Sequence, residues 1–123
     1  MIPYVISRIV LYKKQERAGG GARAFPVSAS LLDAIVLAVV AREGTYGYKI
    51  TQDVRQVMEV SDSTLYPVLR RLQRDGLLAT YDEAVDGRMR RYYRITPAGE
   101  VKLAQYRMEW AEYRKNIEQV LLE

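Results

Sequence analysis

Asp86-Gly87 stands between two stretches that read as extended chain, Leu77–Val85 and Arg88–Ile95. An Asp-Gly pair in that setting is among the strongest local signals for a β-hairpin, because a two-residue turn needs backbone angles these two residues tolerate. One hairpin about two-thirds of the way along a 123-residue chain constrains the fold strongly, since the patterns on both sides of it are helical.

Ser28 or Ser30 can cap a first helix running through Leu31–Arg42. Apolar residues occur almost all round it, which predicts burial between other elements, with Gly44 as the C′ residue. After a turn at Gly44–Gly47, a second helix is expected over Tyr48–Met58. Ile50, Val54 and Val57 would form its inner face, with Thr51, Gln52, Arg55 and Gln56 on the other side. Ser61 suits the N-cap of a third helix, Asp62–Asp75, which Gly76 ends. Its apolar stripe is Leu65, Val68, Leu69 and Leu72. Ser63, Thr64, Tyr66, Arg70, Arg71 and Arg74 are left for another face. Pro67 implies either a start near Thr64 or a kink, because an interior proline costs ~3 kcal/mol or more. Thr96-Pro97 opens a last helix, with Thr at the N-cap and Pro at N1. It would run to the C-terminus and measure roughly 35–40 Å.

Three helices, a hairpin and a long helix make the expected fold class α+β, mostly α: a winged helix-turn-helix with a long C-terminal dimerisation helix. The expected divisions are 1–24 as a basic arm with a glycine-rich linker, 25–96 as the winged domain, and 97–123 as the dimerisation helix. The linker is Ala18–Ala24, and the arm is open to being native chain, a cloning addition, or upstream sequence read from a misassigned start codon.

The chain has no cysteine and no histidine. That removes disulfides, thiolate or imidazole metal sites, and every triad or dyad built on those side chains. Acidic pairs such as Asp82 with Glu83 sit on an expected hairpin strand, and no phosphate loop is present. No enzyme, metal or cofactor is expected. No run is long enough for a membrane span of about 20 residues. The apolar start, Met1–Tyr12, has its charges after it rather than before it, unlike a signal peptide. The expected location is cytoplasmic, with no membrane partner.

The formal net charge is +4, but it belongs to the arm. Residues 1–24 carry five basic residues against one acidic, and the remaining chain carries fourteen of each. The domain's arginines nevertheless cluster, at 70, 71 and 74 and again at 88, 90, 91 and 94. A helix face of Ser, Thr, Tyr and Arg suits base edges and phosphates in a major groove, and arginines on a hairpin suit phosphates or a narrow minor groove. Tyr92 and Tyr93 point to opposite faces of a strand, so at most one can be core.

Several blocks together resemble the PadR-type transcriptional regulators: Tyr46-Gly47-Tyr48, Ser63-Thr64-Leu65-Tyr66-Pro67, Leu69–Leu72, Asp75-Gly76-Leu77, and Gly87-Arg88 followed by Arg90-Arg91-Tyr92-Tyr93-Arg94-Ile95-Thr96 and Gly99. The order and spacing match from about residue 28 to the end. The arm has no counterpart. The resemblance implies a dimeric, ligand-responsive repressor of double-stranded operator DNA, in the shorter subfamily with one C-terminal helix. It makes the third helix the recognition helix, with Ser63, Thr64, Tyr66 and Arg70, and with Arg71 and Arg74 beside them, as DNA candidates. The hairpin becomes the wing, with Arg88 and Arg90 as its contacts. Arg91 and Arg94 are left between phosphates and acidic neighbours.

Along the last helix, Leu103, Tyr106, Trp110, Tyr113, Ile117 and Val120 recur at intervals of 3, 4, 3, 4 and 3. That heptad seam predicts a homodimer, with Ala104, Met108 and Ala111 facing the helix's own domain. Trp110, the only tryptophan, lies mid-seam. Two copies near a two-fold axis would leave an aromatic slot for a planar aromatic or cationic effector. The competing reading is a winged-helix protein–protein interaction module without sequence-specific DNA binding.

Overall fold

A computed structural model describes residues 28–123. The arm and linker fall outside those residues. The elements, in chain order, are α1 (Ala29–Arg42), β1 (Thr45–Tyr46), α2 (Gly47–Arg55), α3 (Asp62–Arg74), β2 (Leu78–Val85), β3 (Arg88–Ile95) and α4 (Pro97–Leu121). The fold is α+β and mostly α. Its sheet is antiparallel, in the order β1-β3-β2.

Ser28 is the cap of α1: its Oγ accepts a hydrogen bond from the Leu31 amide at 3.1 Å. Leu32, Val36, Leu37, Val39 and Val40 are buried, with Asp33 among them. The far end of α1 differs from expectation. Glu43 leaves the helix in extended geometry, φ −165° and ψ 121°, and Gly44 is not in the left-handed region. Its smallness serves a close approach instead, since a Cβ there would lie 3.1 Å from the Tyr93 carbonyl oxygen. That approach makes β1 in place of the expected turn: Thr45 pairs with Tyr93 and Tyr46 with Tyr92.

The second helix begins one residue early and stops at Arg55 rather than Met58. Val57 is therefore half exposed instead of lining the inner face, while Met58 turns back into the core. Thr51, expected on the outer side, is buried, and its hydroxyl donates to the Gly47 carbonyl at 2.9 Å. That bond to the preceding turn satisfies the buried hydroxyl.

Helix α3 keeps its stripe: Leu65, Val68, Leu69 and Leu72 are all buried. It begins at Asp62, so Pro67 lies inside it and the Ser63 carbonyl is deprived of the amide that would have bonded to it. Ser61 holds the N-cap position without a side-chain cap bond. The other end is a Schellman motif. Gly76, at φ +81°, donates to the Gln73 carbonyl at 3.1 Å, and Leu77 donates to the Leu72 carbonyl at 2.9 Å.

The hairpin turn is Asp86-Gly87, with φ +52° and +76°, the signs a type I′ turn requires. Val85 pairs with Arg88 across it, and the register continues to Leu78 with Ile95. The inner sheet face contributes Leu78 and Tyr93 to the core. Tyr92 faces outward, stacked on Tyr81 with ring centroids 5.4 Å apart and edge-on to Tyr46 at 5.7 Å. Thr96 caps α4, its Oγ1 accepting from the Gly99 amide at 3.0 Å, with Pro97 at the start of the helix. Leu103 then reaches into the core.

Candidate nucleic-acid interface

The N-terminal turn of α3 presents a cluster of hydroxyls. Ser61 Oγ lies 2.8 Å from Ser63 Oγ and 3.2 Å from Thr64 Oγ1, and all three residues are exposed. Each hydroxyl can donate or accept, so the cluster can re-form around a polar partner. The loop before it is braced from α2. Arg55 donates through Nε to the Val60 carbonyl at 2.9 Å and pairs with the Asp62 carboxylate. Sequence periodicity places Arg55 only on a polar face, because its partners belong to a loop with no periodic signal.

The six α3 candidates separate into two groups. Ser63, Thr64, Arg70 and Arg74 are exposed. Arg74 makes only a long contact, 3.4 Å, to Asp75. Tyr66 is half-buried and packs against the core. Its ring lies over Gly47, where a Cβ would come within 3.1 Å of the Tyr66 Cε1. Arg71 turns the other way. It donates through Nη2 to Asp33 Oδ1 at 2.6 Å, an interaction that raises the Arg71 pKa against the opposing effect of burial. Asp33 is visible in the sequence as the one charge interrupting Leu31–Ala41; its partner is not.

On the wing, Arg88 is exposed beside the turn. Arg90 is half-buried, its guanidinium 4.6 Å from the centre of the Tyr46 ring. Arg91 approaches Asp82 at 3.7 Å, the acidic neighbour allowed for in its reading, while Arg94 lies 6.0 Å over Tyr81. Tyr93 is the core tyrosine of the pair, and burial pushes its hydroxyl pKa up.

The heptad seam of α4 is divided by the structure. Leu103 is buried and Tyr106 half-buried against the same core, so these two face the helix's own domain. Ala104, Met108 and Ala111, expected there, are exposed. They lie off the Leu103–Tyr106 line that meets the core. Trp110, Tyr113, Ile117 and Val120 remain exposed, with the Trp110 and Tyr113 rings 6.2 Å apart. Among the described residues there is no helix long and apolar enough to cross a membrane, and no group of three acidic side chains placed to hold a metal.

A three-helix domain whose third helix presents a polar and basic face beside an arginine-bearing hairpin is a winged helix-turn-helix. The family comparison is specific within that class: residues 36–105 match the Transcriptional regulator PadR-like family, and the chain belongs to it. Transcriptional regulator Rv3488 of Mycobacterium tuberculosis is 41% identical over 83 residues, 67% of this chain and 78% of that protein. Among solved structures, smu.1704 from Streptococcus mutans UA159 superposes with a TM-score of 0.75 at 37% identity, covering 80% of this chain and 93% of that one. A PadR family transcription regulator from Clostridium difficile R20291 gives a TM-score of 0.69 at 27% identity, covering 73% and 97%.

Proposed function

We propose that the protein is a repressor that binds a pseudo-palindromic operator as a homodimer and releases it in response to a planar aromatic or cationic effector. The observation that carries the DNA reading is the exposed face of Ser63, Thr64, Arg70 and Arg74 on α3, in a PadR-family domain whose wing holds Arg88 exposed beside a tight turn. Ser63 and Thr64 can reach base edges from the start of the helix, and the arginines can neutralise phosphates. Tyr66, anchored on Gly47, contributes through its edge, and Arg90 through the part of its guanidinium not stacked on Tyr46. Half-sites would be about 10 bp apart or a multiple of that. The exposed stripe Trp110, Tyr113, Ile117 and Val120 supports assembly through α4. The paired Trp110 and Tyr113 rings support an aromatic effector slot between subunits.

Gel-shift titration at several salt concentrations tests the DNA reading. The wild type should lose affinity steeply with salt as counterions are released. An Arg70→Ala/Arg88→Ala double variant should bind more weakly with a shallower slope. Equal affinity of the two proteins would overturn the reading, and salt-insensitive capture of protein partners with no retarded DNA would favour a protein-interaction module. Planar dyes and phenolic compounds should quench or shift Trp110 fluorescence and lose that response in Trp110→Ala.

A further inference from the structure

Asp33 is a buried carboxylate in the second turn of the most apolar helix among the described residues, 7% exposed. Such a group is costly unless paired. Its partner comes from 38 positions away: Arg71 Nη2, at 2.6 Å. Helix α1 is also the main support of α4. From α4, Tyr106 adds its ring to the core margin, with Lys102 Nζ 5.1 Å over that ring. The three side chains share one electrostatic environment: burial raises the Tyr106 hydroxyl pKa, the Asp33 charge adds to that, and Arg71 opposes it. So an ion pair at the margin of an otherwise apolar core ties α1 to α3, and α1 is the helix on which α4 rests.

Arg71 is the arginine of α3 that is drawn inward, while Arg70 and Arg74 stay exposed. We infer that Arg71 is a positioning residue and not a DNA contact: its ion pair with Asp33 is the joint that fixes α3 to α1, the helix on which α4 rests, and passes displacements of α4 to the DNA-reading face. This rests on the proposal that α3 reads DNA. The joint is short-ranged and directional. A charge-assisted bond at 2.6 Å tolerates little sliding, so a displacement of α1 under α4 carries Arg71, and α3 with it.

The two roles for Arg71 predict opposite signs for one substitution. In Asp33→Asn the carboxylate charge is gone and the arginine is released. A phosphate-contacting Arg71 would then bind operator DNA more tightly. A positioning Arg71 would bind it more weakly, by roughly 2- to 30-fold, with the salt slope unchanged. Arg71→Gln, at a partly exposed position, serves as the second variant. Positioning predicts weaker binding at an unchanged slope, whereas removing a phosphate-neutralising arginine lowers the slope by about one. Arg71→Lys, which keeps the charge and a shorter donor, should recover part of the affinity. Amide hydrogen exchange in the free protein supplies a readout that needs no DNA. In Asp33→Asn, exchange should quicken in the second half of α3 and the first half of α4 while β2 and β3 keep their protection. Tighter binding by Asp33→Asn, a reduced slope for Arg71→Gln, or exchange that changes in α3 alone would each overturn the joint. If the wild type retards no DNA, the DNA reading and the role of Arg71 within it fail together. If the wild type binds steeply and the variants give one of those overturning results, the joint alone fails.

Discussion

Gly99 is the residue on which the junction of wing and C-terminal helix closes. A Cβ at that position would stand 2.1 Å from the Leu77 carbonyl oxygen and 2.7 Å from Ile95 Cγ1. The carbonyl cannot retreat freely, since it already accepts the Thr96 amide at 3.1 Å. Gly99→Ala should therefore lower the stability of the domain by about 1–3 kcal/mol, the usual cost of overfilling a packed site, read as a lower urea midpoint at unchanged slope. Tyr93 carries a second prediction at this scale. Burial raises its hydroxyl pKa, so the folded state resists an ionisation that the unfolded chain undergoes freely near pH 10. Below about pH 10 both states are neutral and stability is unaffected. As pH rises through that value, the unfolded state sheds its proton first and stability falls. The urea midpoint of the wild type should drop between about pH 9 and pH 11, and Tyr93→Phe should drop less; equal drops would refute the assignment. Residue-scale facts are legible in the sequence when they are local. The Thr96-Pro97 start reads directly, because a cap and its target lie three residues apart. The clash surface of Gly99 does not, because it depends on a carbonyl brought in by a different element.

The same division holds among elements. The wing is legible as a hairpin because Asp86-Gly87 contains its own geometric reason. Gly87→Val would place a β-branched side chain at φ +76°, costing about 1–2 kcal/mol of backbone strain, and should lower the melting temperature. On the DNA reading it should also weaken operator binding, since Arg88 follows directly. Strand β1 is not legible. Two residues show no periodicity, and β1 exists because Gly44 lets the backbone lie against Tyr93. The early end of α2 is similar: Ile50, Val54 and Val57 keep helical spacing past the point where the chain turns, and Met58 still finds the core. Helix α3 is legible in its stripe and only half legible on its other face. Composition groups its three arginines, whereas the structure parts Arg71 from Arg70 and Arg74, and Asp33 is the cause. The exposed hydroxyls allow a separation of roles. Thr64→Ala should leave binding to arbitrary DNA nearly unchanged and reduce discrimination between operator and non-operator duplex by a few-fold to about 100-fold, matching about 1–3 kcal/mol for a base-edge interaction removed. Competition titrations with the two duplexes measure that ratio directly.

At the scale of the whole molecule, α4 has a part packed on its own domain and an exposed part, and its heptad spacing does not reveal where one gives way to the other. Leu103 and Tyr106 close the core of their own domain, and from residue 107 to 121 no residue of the helix is buried. That final stretch carries Trp110, Tyr113, Ile117 and Val120 in the open, along with Leu121. A helical segment of this length is marginal in water without cover, and an apolar stripe at heptad spacing is suited to a second copy. Substitutions along one seam should then have two different outcomes. Leu103→Ala removes a fully packed side chain from the domain and should cost about 2–5 kcal/mol of its stability, whatever the oligomeric state. Ile117→Glu leaves the domain core untouched and sets a charge in the proposed interface, where a partner would have to desolvate it. Sedimentation at micromolar concentration should give a dimer for the wild type and a monomer for Ile117→Glu. Circular dichroism should show the variant losing helix content at the end of α4 while the domain still melts cooperatively. A monomeric wild type would overturn the dimer, and a dimer that survives Ile117→Glu unchanged would place the interface elsewhere. On the proposed DNA reading, the monomeric variant should also bind a half-site as well as the wild type does, yet lose the gain in affinity that a full pseudo-palindrome gives by holding a second winged domain near its site.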